Sequence, residues 1–177
     1  ITYSIVSDVS NGSTSLSGST VTYTPTADYN GTDTFTFKAN DGTDDSNTST
    51  VTITVAAVND APIIGTATVS GTEDTVKTTE LDGVDVDGDN LTYSIVSNPS
   101  NGSASISGST ATYTPALNFN GFDSFTYKAN DGTVDSATKN INIQIFAVND
   151  APVTSDQTAS TNEDTLVDVT LSSTDVE

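Results

Sequence analysis

The amino-acid sequence predicts an all-β chain in which Greek-key β-sandwiches of about 90 residues follow one another in an extended array. Three observations lead to this prediction. Short motifs recur at a constant spacing, apolar residues alternate with Thr and Ser, and turn-forming Asn-Gly and Asp-Gly pairs separate the alternating segments. No segment of useful length has the periodicity of an amphipathic helix.

The repeat is visible in motifs that occur twice, 90 positions apart. They are "TYSIVS" at 2–7 and 92–97, "YTP" at 23–25 and 113–115, "KANDGT" at 38–43 and 128–133, "AVNDAP" at 57–62 and 147–152, and "EDT" at 73–75 and 163–165. Self-similarity at a fixed period is typical of arrays of modules. The chain is therefore expected to carry successive copies of one unit.

The alternating segments predict antiparallel strands with one buried face and one face in water. In "STVTITV", Val51, Ile53 and Val55 fall on one face and the hydroxyl residues on the other. The same alternation occurs in "VTYTP" at 21–25, "FTFKA" at 35–39 and "INIQI" at 141–145. The aromatic residues of these faces are expected in the core: Tyr3, Tyr23, Phe35, Phe37, Tyr93, Tyr113, Phe125 and Tyr127.

The turns between strands are predicted at "NG" and "DG" pairs, which favour tight hairpins. They lie at 11–12, 30–31, 101–102 and 120–121 for "NG", and at 41–42 and 131–132 for "DG". About seven short strands in each repeat, with turns between them, are typical of an immunoglobulin-like sandwich. A module of this size buries only a modest core.

The joints between modules are predicted at the two "VNDAP" motifs, where Pro62 and Pro152 interrupt regular strand pairing. This predicts a partial domain over 1–58 that lacks its first two strands, a linker over 59–62, and a complete domain over 63–148. A second linker covers 149–152, and residues 153–177 supply the first two strands of a next domain. We expect the chain to be a segment of a longer protein.

Composition excludes several functions. The chain has 24 acidic residues against 4 basic ones, for a net charge of -20. Such a chain lacks the Lys and Arg that nucleic-acid phosphates require, and it is repelled by anionic membrane surfaces. Without Cys or His, disulfides and the usual zinc, haem and iron–sulfur ligands are excluded. No apolar run reaches the length of a membrane span, so no membrane insertion is expected.

Four motifs carry a family resemblance. "DVDGDNLTYSI" at 85–95, "VNDAP", the "TEDT" and "NEDT" segments at 72–75 and 162–165, and "KANDG" resemble cadherin motifs in the same order. Overall, the chain is most similar to the bacterial cadherin-like repeats of giant, type I-secreted (RTX-type) surface adhesins. The resemblance covers nearly the whole chain and implies a cadherin-like form of the predicted sandwich.

In that family, Ca²⁺ ions lie at the junctions between successive domains and make the array rigid. The resemblance implies ligands at the first junction from Asn59, Asp60, Asp85, Asp87, Asp131, Asp28 and Asn30. At the second junction it implies Glu73, Asp74, Asn118, Asn120, Asn149, Asp150 and Asp175. Asp89 and Glu163 complete the candidate set, and Asp41 faces a junction outside the chain. The chain departs from the family at "NFNG", 118–121, which lacks a carboxylate, and at Glu177, where the family carries Asp.

The residues themselves agree with calcium, which prefers six to eight oxygen ligands from carboxylates, amides and backbone carbonyls. Asp85 and Asp87 alternate, so both side chains can face one ion. An EF-hand is excluded, because the glycine falls at the fourth position from Asp85 and Val96 stands at the twelfth. The alternative is that these acids are solvated turn residues, since Asp and Asn favour turns on their own.

The leading functional hypothesis is a calcium-rigidified structural extender of a large extracellular bacterial adhesin, which positions distal ligand-binding domains and contributes to cell adhesion and biofilm formation. Its partners are neighbouring repeats of the same chain. One alternative is a module that binds polysaccharide or a second copy of itself. Another is a surface-filament subunit joined by strand donation, because residues 153–177 carry the strands that 1–58 lack.

The chain is not expected to be an enzyme. The sequence has no His or Cys, no "GxSxG" nucleophile elbow and no phosphate-binding loop. Paired carboxylates can cleave glycosides, but the acids here are predicted at domain ends rather than in a cleft.

Overall fold

The computed structural model describes residues 1–175, and within them it contains β-strands and no helix. Two compact units are present, Ile1–Asp60 and Ala61–Glu177, here called unit 1 and unit 2. The all-β prediction is confirmed. The finer boundaries at 62, 148 and 152 stay a prediction.

Unit 1 consists of a three-stranded sheet and a hairpin. Its strands are β1 (Thr2–Ser7), β2 (Gly12–Ser17), β3 (Thr20–Pro25), β4 (Gly31–Asn40) and β5 (Ser49–Val55). The sheet has the order β1-β4-β5, and β2 pairs with β3. All of these pairs are antiparallel.

Unit 2 repeats this arrangement and adds strands before it. Its first four strands are β6 (Ile63–Ile64), β7 (Ala67–Thr72), β8 (Lys77–Glu80) and β9 (Gly83–Val84). The next five are β10 (Thr92–Ser97), β11 (Gly102–Ser107), β12 (Thr110–Pro115), β13 (Gly121–Asn130) and β14 (Lys139–Phe146). The sheets have the orders β10-β13-β14-β7 and β11-β12-β8, and β6 pairs with β9.

One pair departs from the predicted antiparallel pattern. β7 runs parallel to β14, with Ile141 opposite Ala67 and Ile143 opposite Val69. The two strands are far apart in sequence, and a parallel pair requires such a long connection. β7 thereby extends the four-stranded sheet, while β8 joins the other sheet and closes the sandwich.

The tight hairpins also lie elsewhere than predicted. The two-residue turns are Gly18-Ser19 and Gly108-Ser109, between strand ends Ser17↔Thr20 and Ser107↔Thr110. Gly18 and Gly108 have φ of 61° and 60°, which is the left-handed region that such turns use. The "NG" glycines instead begin strands β2, β4, β11 and β13.

Gly12 and Gly102 are required by close packing. A Cβ atom on Gly102 would lie 2.4 Å from the carbonyl oxygen of Thr114 and 2.9 Å from the ring of Tyr113. The same approach occurs at Gly12 against Thr24 and Tyr23. These two "NG" motifs therefore serve packing rather than a hairpin turn.

The core of unit 2 lies between its two larger sheets. Tyr113, Phe125, Tyr127, Ile141 and Ile143 are the largest fully buried side chains. The hydroxyl of Tyr127 donates to the carbonyl of Gly65 at 2.8 Å, which satisfies its polar atom. These aromatic residues confirm the predicted core positions.

Unit 1 uses the same inward positions but leaves them less covered. Ile141 and Ile143 are 0% and 1% exposed, whereas their counterparts Val51 and Ile53 are half-buried. Tyr3 is 39% exposed, so its predicted core position is only partly realised. Within unit 1 no counterpart of β7 or β8 lies over this face.

Residues 153–175 form a two-stranded element at the end of the described chain. Its strands are β15 (Val153–Thr154) and β16 (Ser173–Thr174), which pair antiparallel. The segments that correspond to β7 and β8 form no strand there, because no sheet partner for them lies among the described residues of unit 2.

A matched pair of isoleucines tests the difference in burial between the units. We expect Ile143→Ala to lower the free energy of unfolding of unit 2 by about 2–5 kcal/mol, because it leaves a cavity in a closed core. Ile53→Ala should cost unit 1 clearly less, because its side chain borders an open face. Calorimetry of both variants measures the two effects. Equal losses would show that the two cores are equally closed.

Candidate metal-binding sites

The "DVDGDN" loop follows β9 and folds around the side chain of Asp85. The Oδ1 atom of Asp85 accepts hydrogen bonds from the N–H groups of Asp87 at 2.9 Å and Asp89 at 3.5 Å. The carbonyl of Asp85 accepts from the N–H of Gly88 at 3.3 Å, and Gly88 has a φ of 83°. The loop is therefore a compact turn that orients one carboxylate inward and leaves Asp87 and Asp89 exposed.

The second carboxylate oxygen of Asp85, Oδ2, is buried and has no hydrogen-bond partner among the described residues. Leaving a buried acceptor unsatisfied costs free energy, and the cost is larger for a charged group. A hard cation at this oxygen would remove that cost. The predicted ligand Asp85 is thus the candidate whose surroundings fit a metal ion best.

The "DG" loops use their carboxylates differently. The Oδ1 atom of Asp131 accepts from the N–H groups of Thr133 at 2.6 Å and Val134 at 2.7 Å. In unit 1 the N–H groups of Asp44 and Thr43 do the same for Asp41, and they lower the pKa of the Asp41 carboxyl. One oxygen of each side chain therefore stabilises its own turn.

A second group of predicted ligands comes together where β7 ends and β14 leads into the linker. Glu73 is 5% exposed, and its Oε1 atom accepts from the N–H of Val148 at 2.6 Å. The N–H of Glu73 donates to the carbonyl of Phe146 at 3.1 Å. Asp74 accepts through Oδ1 from the N–H of Asn118 at 3.0 Å. This group, here called the lower cluster, consists of Glu73, Asp74, Asn118 and Val148.

The backbone at the lower cluster is strained. Asp74 and Asn118 have φ of 56° and 57°, and their counterparts Asp164 and Asp28 have φ of 59° and 61°. Asp and Asn tolerate this left-handed region better than other side chains, and such residues concentrate at functional sites. The structure thus repeats one unusual conformation at four of the positions aligned by the repeat.

The linker residues share a local geometry in both copies. The side-chain amide of Asn149 donates to the carbonyl of Asp150 at 2.7 Å, and that of Asn59 donates to the carbonyl of Asp60 at 3.1 Å. Asn149 follows directly on Val148, so the second linker begins at the lower cluster. Its amide and carbonyl oxygens add to the hard oxygen donors at that end of unit 2.

Other predicted ligands are not brought into such a cluster. Asp28, Asn30, Asn120, Glu163 and Asp175 are exposed in the described structure. Among residues 1–175, no group of three or more carboxylates lies close enough to hold a metal ion. Any calcium site would therefore combine few carboxylates with amide and backbone oxygens. The predicted departure at Glu177 lies outside the described residues.

The sequence reasoning missed two carboxylates that each accept several hydrogen bonds, Asp33 and Asp123. Asp123 accepts from the N–H groups of Ser100 at 3.0 Å, Asn101 at 2.8 Å and Ser124 at 2.8 Å, and from the hydroxyl of Tyr113 at 3.1 Å. Asp33 makes the equivalent bonds in unit 1 and is 4% exposed. These bonds fasten the loop before β11 to β13, so the role is structural.

The hydrogen bonds between Asp123 and its neighbours shift the pKa values of Asp123 and Tyr113. Burial opposes the charged form of Asp123, but its backbone donors and Tyr113 outweigh burial and lower the pKa of the carboxyl. Burial and the Asp123 carboxylate raise the pKa of Tyr113. A sequence signal existed, because Asp33 and Asp123 stand in register with the inward-facing Phe35 and Phe125, where an apolar residue is expected.

Two lysines form ion pairs with aspartates. Lys38 pairs with Asp45, and Lys128 pairs with Asp135 at 2.5 Å. Both pairs are partly exposed, and the lysine lowers the pKa of each aspartate. Exposed pairs of this kind contribute little to stability.

Comparisons with known proteins define the family. The sequence profile of the bacterial Ig domain matches residues 1–54 and again 59–144, which is more than half of the chain. The chain therefore belongs to the bacterial Ig domain family. No curated protein matches the chain.

Several solved structures are similar to this chain at low identity. A protocadherin gammaB7 EC3-6 cis-dimer structure has 16% identity and a TM-score of 0.50, with 88% of this chain and 45% of that chain covered. Human mucin-like protocadherin EC1-2 has 16% identity and a TM-score of 0.49, with 82% and 85% covered. Endo-fucoidan hydrolase MfFcnA4 from glycoside hydrolase family 107 has 24% identity and a TM-score of 0.41, with 82% and 24% covered. The likeness to the protocadherin gammaB7 structure shows that this chain is similar in fold to those repeats.

The prediction that the chain is not an enzyme is contradicted by these comparisons, because similar solved chains include endo-fucoidan hydrolases of glycoside hydrolase family 107. The chain spans about a quarter of the length of these hydrolases, with 24% covered in the first. At TM-scores of 0.38–0.41 this likeness supports no further conclusion. It assigns no catalytic residue or substrate to this chain.

None of the described residues belongs to a helix long and apolar enough to cross a membrane.

The lowered pKa of Asp123 gives a pH-dependent prediction. Because the folded-state pKa lies below the unfolded value of about 3.9, ionised Asp123 stabilises the fold above about pH 4. That stability is lost as the pH falls through the folded-state pKa. We expect Asp123→Asn to lower the free energy of unfolding by about 1–3 kcal/mol at pH 7. The difference in this free energy between the variant and the parent chain should narrow below pH 4. Urea unfolding across the pH range measures this difference.

The control for this prediction is Asp168→Asn, which removes an exposed acid and the same unit of charge. Its free energy of unfolding should differ little from that of the parent chain at every pH. If the difference in free energy of unfolding between Asp123→Asn and the parent chain stayed constant with pH, the effect of the substitution would come from packing rather than from ionisation.

Proposed function

We propose that this chain is a calcium-rigidified structural extender of a large extracellular bacterial adhesin. Membership of the bacterial Ig domain family and the cadherin-like fold support an extracellular adhesion or structural module. The observation that carries the calcium part is the buried Oδ2 atom of Asp85, which no donor satisfies among the described residues. The parent is proposed to be a type I-secreted, RTX-type adhesin of the cell surface that acts in biofilms.

Two sets of oxygens in unit 2 would hold calcium. One is the "DVDGDN" loop with Asp85, Asp87 and Asp89, and Asp131 is proposed as a further ligand. The other is the lower cluster, where Glu73, Asp74 and Asn118 lie beside the linker residues Asn149 and Asp150. Asn120 remains a proposed ligand there. All of these donors are hard oxygens, which is the ligand type that Ca²⁺ selects.

The hydrogen bonds of the lower cluster support a way in which an ion would act on the linker. Glu73 is already hydrogen-bonded to the N–H of Val148, one residue before Asn149. Asp74 is bonded to the N–H of Asn118, which belongs to a different loop. A bound calcium would coordinate oxygens from these segments. The linker would then lose conformational freedom relative to the rest of unit 2. Rigid linkers allow a long chain to hold a distal domain away from a cell.

The charge of the chain supports a role for calcium in export. With a net charge of -20, self-repulsion opposes compaction unless cations offset it. In cytosol of low calcium the acids would stay without cations and the chain would stay loose. Calcium outside the cell would then favour the folded form, because it binds that form and not the unfolded chain.

Calcium addition is expected to raise the melting temperature of unit 2. With a dissociation constant of about 10⁻⁴–10⁻³ M, 10 mM calcium would stabilise the fold by about 1.4–2.7 kcal/mol per site. Calorimetry in a chelator and then across a calcium titration measures this, with magnesium as the comparison ion. A melting temperature that is equal in chelator and in calcium would refute the proposal.

Isosteric variants locate the ions. Asp74→Asn preserves the residue's tolerance of positive φ and should remove most of the calcium-dependent rise that comes from the lower cluster. Asp156→Asn, an exposed acid outside every proposed ligand set, is the matched control and should keep the full rise. An equal loss in both variants would assign the effect of calcium to general charge screening.

The unsatisfied Oδ2 atom of Asp85 predicts that a substitution there changes the melting temperature differently in chelator and in calcium. In chelator, Asp85→Asn should leave the melting temperature unchanged or higher, because it removes a negative charge from a carboxylate whose Oδ2 atom is buried without a donor among the described residues. In calcium, the same variant should melt lower than the parent chain. A variant that melts lower than the parent by the same amount in both conditions would mean that Asp85 only stabilises its turn.

A further inference from the structure

The outer face of the four-stranded sheet of unit 2 carries side chains that the fold does not use. On β14, four residues alternate with isoleucines of the core and therefore point outward: Asn140, Asn142, Gln144 and Phe146. On the neighbouring strand β13, Phe122 lies directly opposite Gln144. These five outward side chains are here called the amide face. Each strand of the sheet is paired within unit 2, so the face needs no strand from elsewhere.

The two phenylalanines of the amide face are exposed to solvent. Phe122 is 78% exposed and Phe146 is 50% exposed. Phe146 follows Gln144 by two positions, so the two rings lie diagonally across one antiparallel strand pair, a distance that aromatic side chains can span. Neighbouring apolar side chains that stay in water are typical of a contact surface.

The amides beside these rings have no partner within the protein. The side chains of Asn140, Asn142 and Gln144 form no hydrogen bond with another described residue. Each amide offers a carbonyl acceptor and an NH₂ donor. Outward residues of a strand are spaced by about 7 Å, which is twice the rise per residue. The face therefore presents a line of three donor–acceptor groups along β14, with one ring at its end and a second ring beside it.

The amide face is uncharged in a strongly acidic chain. The outward residues of β14 and of the neighbouring segments 68–72 and 122–126 include no carboxylate, since Asp123 is bonded to Tyr113 on the core side. The whole chain has a net charge of -20. A cationic partner would bind the acids elsewhere, whereas an anionic polymer or a second copy would be repelled. An uncharged partner matches this face best.

Unit 1 lacks the amide face, although it has the same two strands. Its aligned residues are small and mostly threonine: Thr32, Thr50, Thr52, Thr54 and Ala56. Threonine is an ordinary residue for the solvent face of a strand. The fold of these strands therefore requires neither the amides nor the rings, and both are special to unit 2.

We propose that the amide face binds a neutral polysaccharide. A sugar ring has an apolar face of C–H groups, on which a phenyl ring stacks, and hydroxyl groups at its edge, which both donate to and accept from an amide. Phe122 and Phe146 would contact the ring faces, and Asn142 and Gln144 would bind the hydroxyls. Because the amides follow one another along β14, an extended chain of several sugar units fits the face better than a single sugar. This binding uses none of the proposed calcium ligands.

Affinity electrophoresis of the full chain tests for binding. Native gels contain dextran, a mixed-linkage β-glucan or a galactomannan, and dextran sulfate is the anionic comparison. We expect at least one neutral polysaccharide to retard the chain, increasingly with its concentration, in chelator as well as in calcium. Dextran sulfate should leave the mobility unchanged. A chain that none of the neutral gels retards would overturn the proposal, and so would equal retardation by dextran sulfate.

The aligned residues of unit 1 supply variants that are expected to fold. Phe122→Thr and Phe146→Ala should each weaken binding, and Phe122→Thr at least about tenfold, because it removes a ring that would be buried against sugar. Val84→Thr is the matched control, since Val84 is 65% exposed on a different sheet and Thr174 is its aligned residue. The control should bind like the parent chain, and all three variants should melt close to it. Equal losses in Val84→Thr and Phe122→Thr would refute the assigned face.

A double variant separates recognition of hydroxyl groups from simple apolar contact. Asn142→Thr combined with Gln144→Thr keeps both rings, yet it should weaken binding about tenfold because it removes two amides that hydrogen-bond the sugar. Unchanged binding in this variant would mean an apolar contact rather than a polysaccharide site. Sedimentation velocity covers the remaining occupant: self-association that Phe122→Thr removes would assign the face to a second copy and overturn the proposal.

Discussion

The covering of one apolar face by β7 and β8 is the constraint on which the rest of the structure depends. The five strands that units 1 and 2 share make a sheet and a hairpin with inward residues of the same kind. Only in unit 2 does a further strand pair lie across them, and there Ile141 and Ile143 are almost completely buried. Since burial of apolar area is the main favourable term in folding, the covered unit holds the larger share of the stability.

The same two strands connect the core to the candidate metal site. β7 ends at Thr72, β8 begins at Lys77, and the turn between them contains Glu73 and Asp74. Once β7 is paired with β14, Glu73 is placed against the first residues of the linker. The position of these carboxylates is therefore a consequence of strand pairing. Residues 153–175 have the same turn at Glu163 and Asp164 but not the pairing, and these two acids remain exposed.

Charge is handled in two ways in this molecule. Asp33 and Asp123 are enclosed, and backbone N–H groups and a tyrosine hydroxyl satisfy them, so they stay ionised without a cation. Asp85 is different, because one of its oxygens is satisfied by its own loop and the other by no described residue. With only four basic residues in the chain, little protein charge is present to offset the acids. We propose a bound cation as the means of neutralising them.

The sequence by itself determined the all-β class, the repeat and most of the inward-facing residues, because period-two alternation and turn chemistry are local properties. It also singled out Asp85, Glu73 and the linker acids. It did not reveal the parallel pairing of β7 with β14, the hairpins at Gly18 and Gly108, or the carboxylate bonds of Asp33 and Asp123. These were decided by tertiary structure, because each depends on which distant backbone groups and side chains come within hydrogen-bonding distance. The near-complete burial of Ile141 and Ile143 was also decided by tertiary structure, since burial depends on which strands pack above a residue and not on the residue itself.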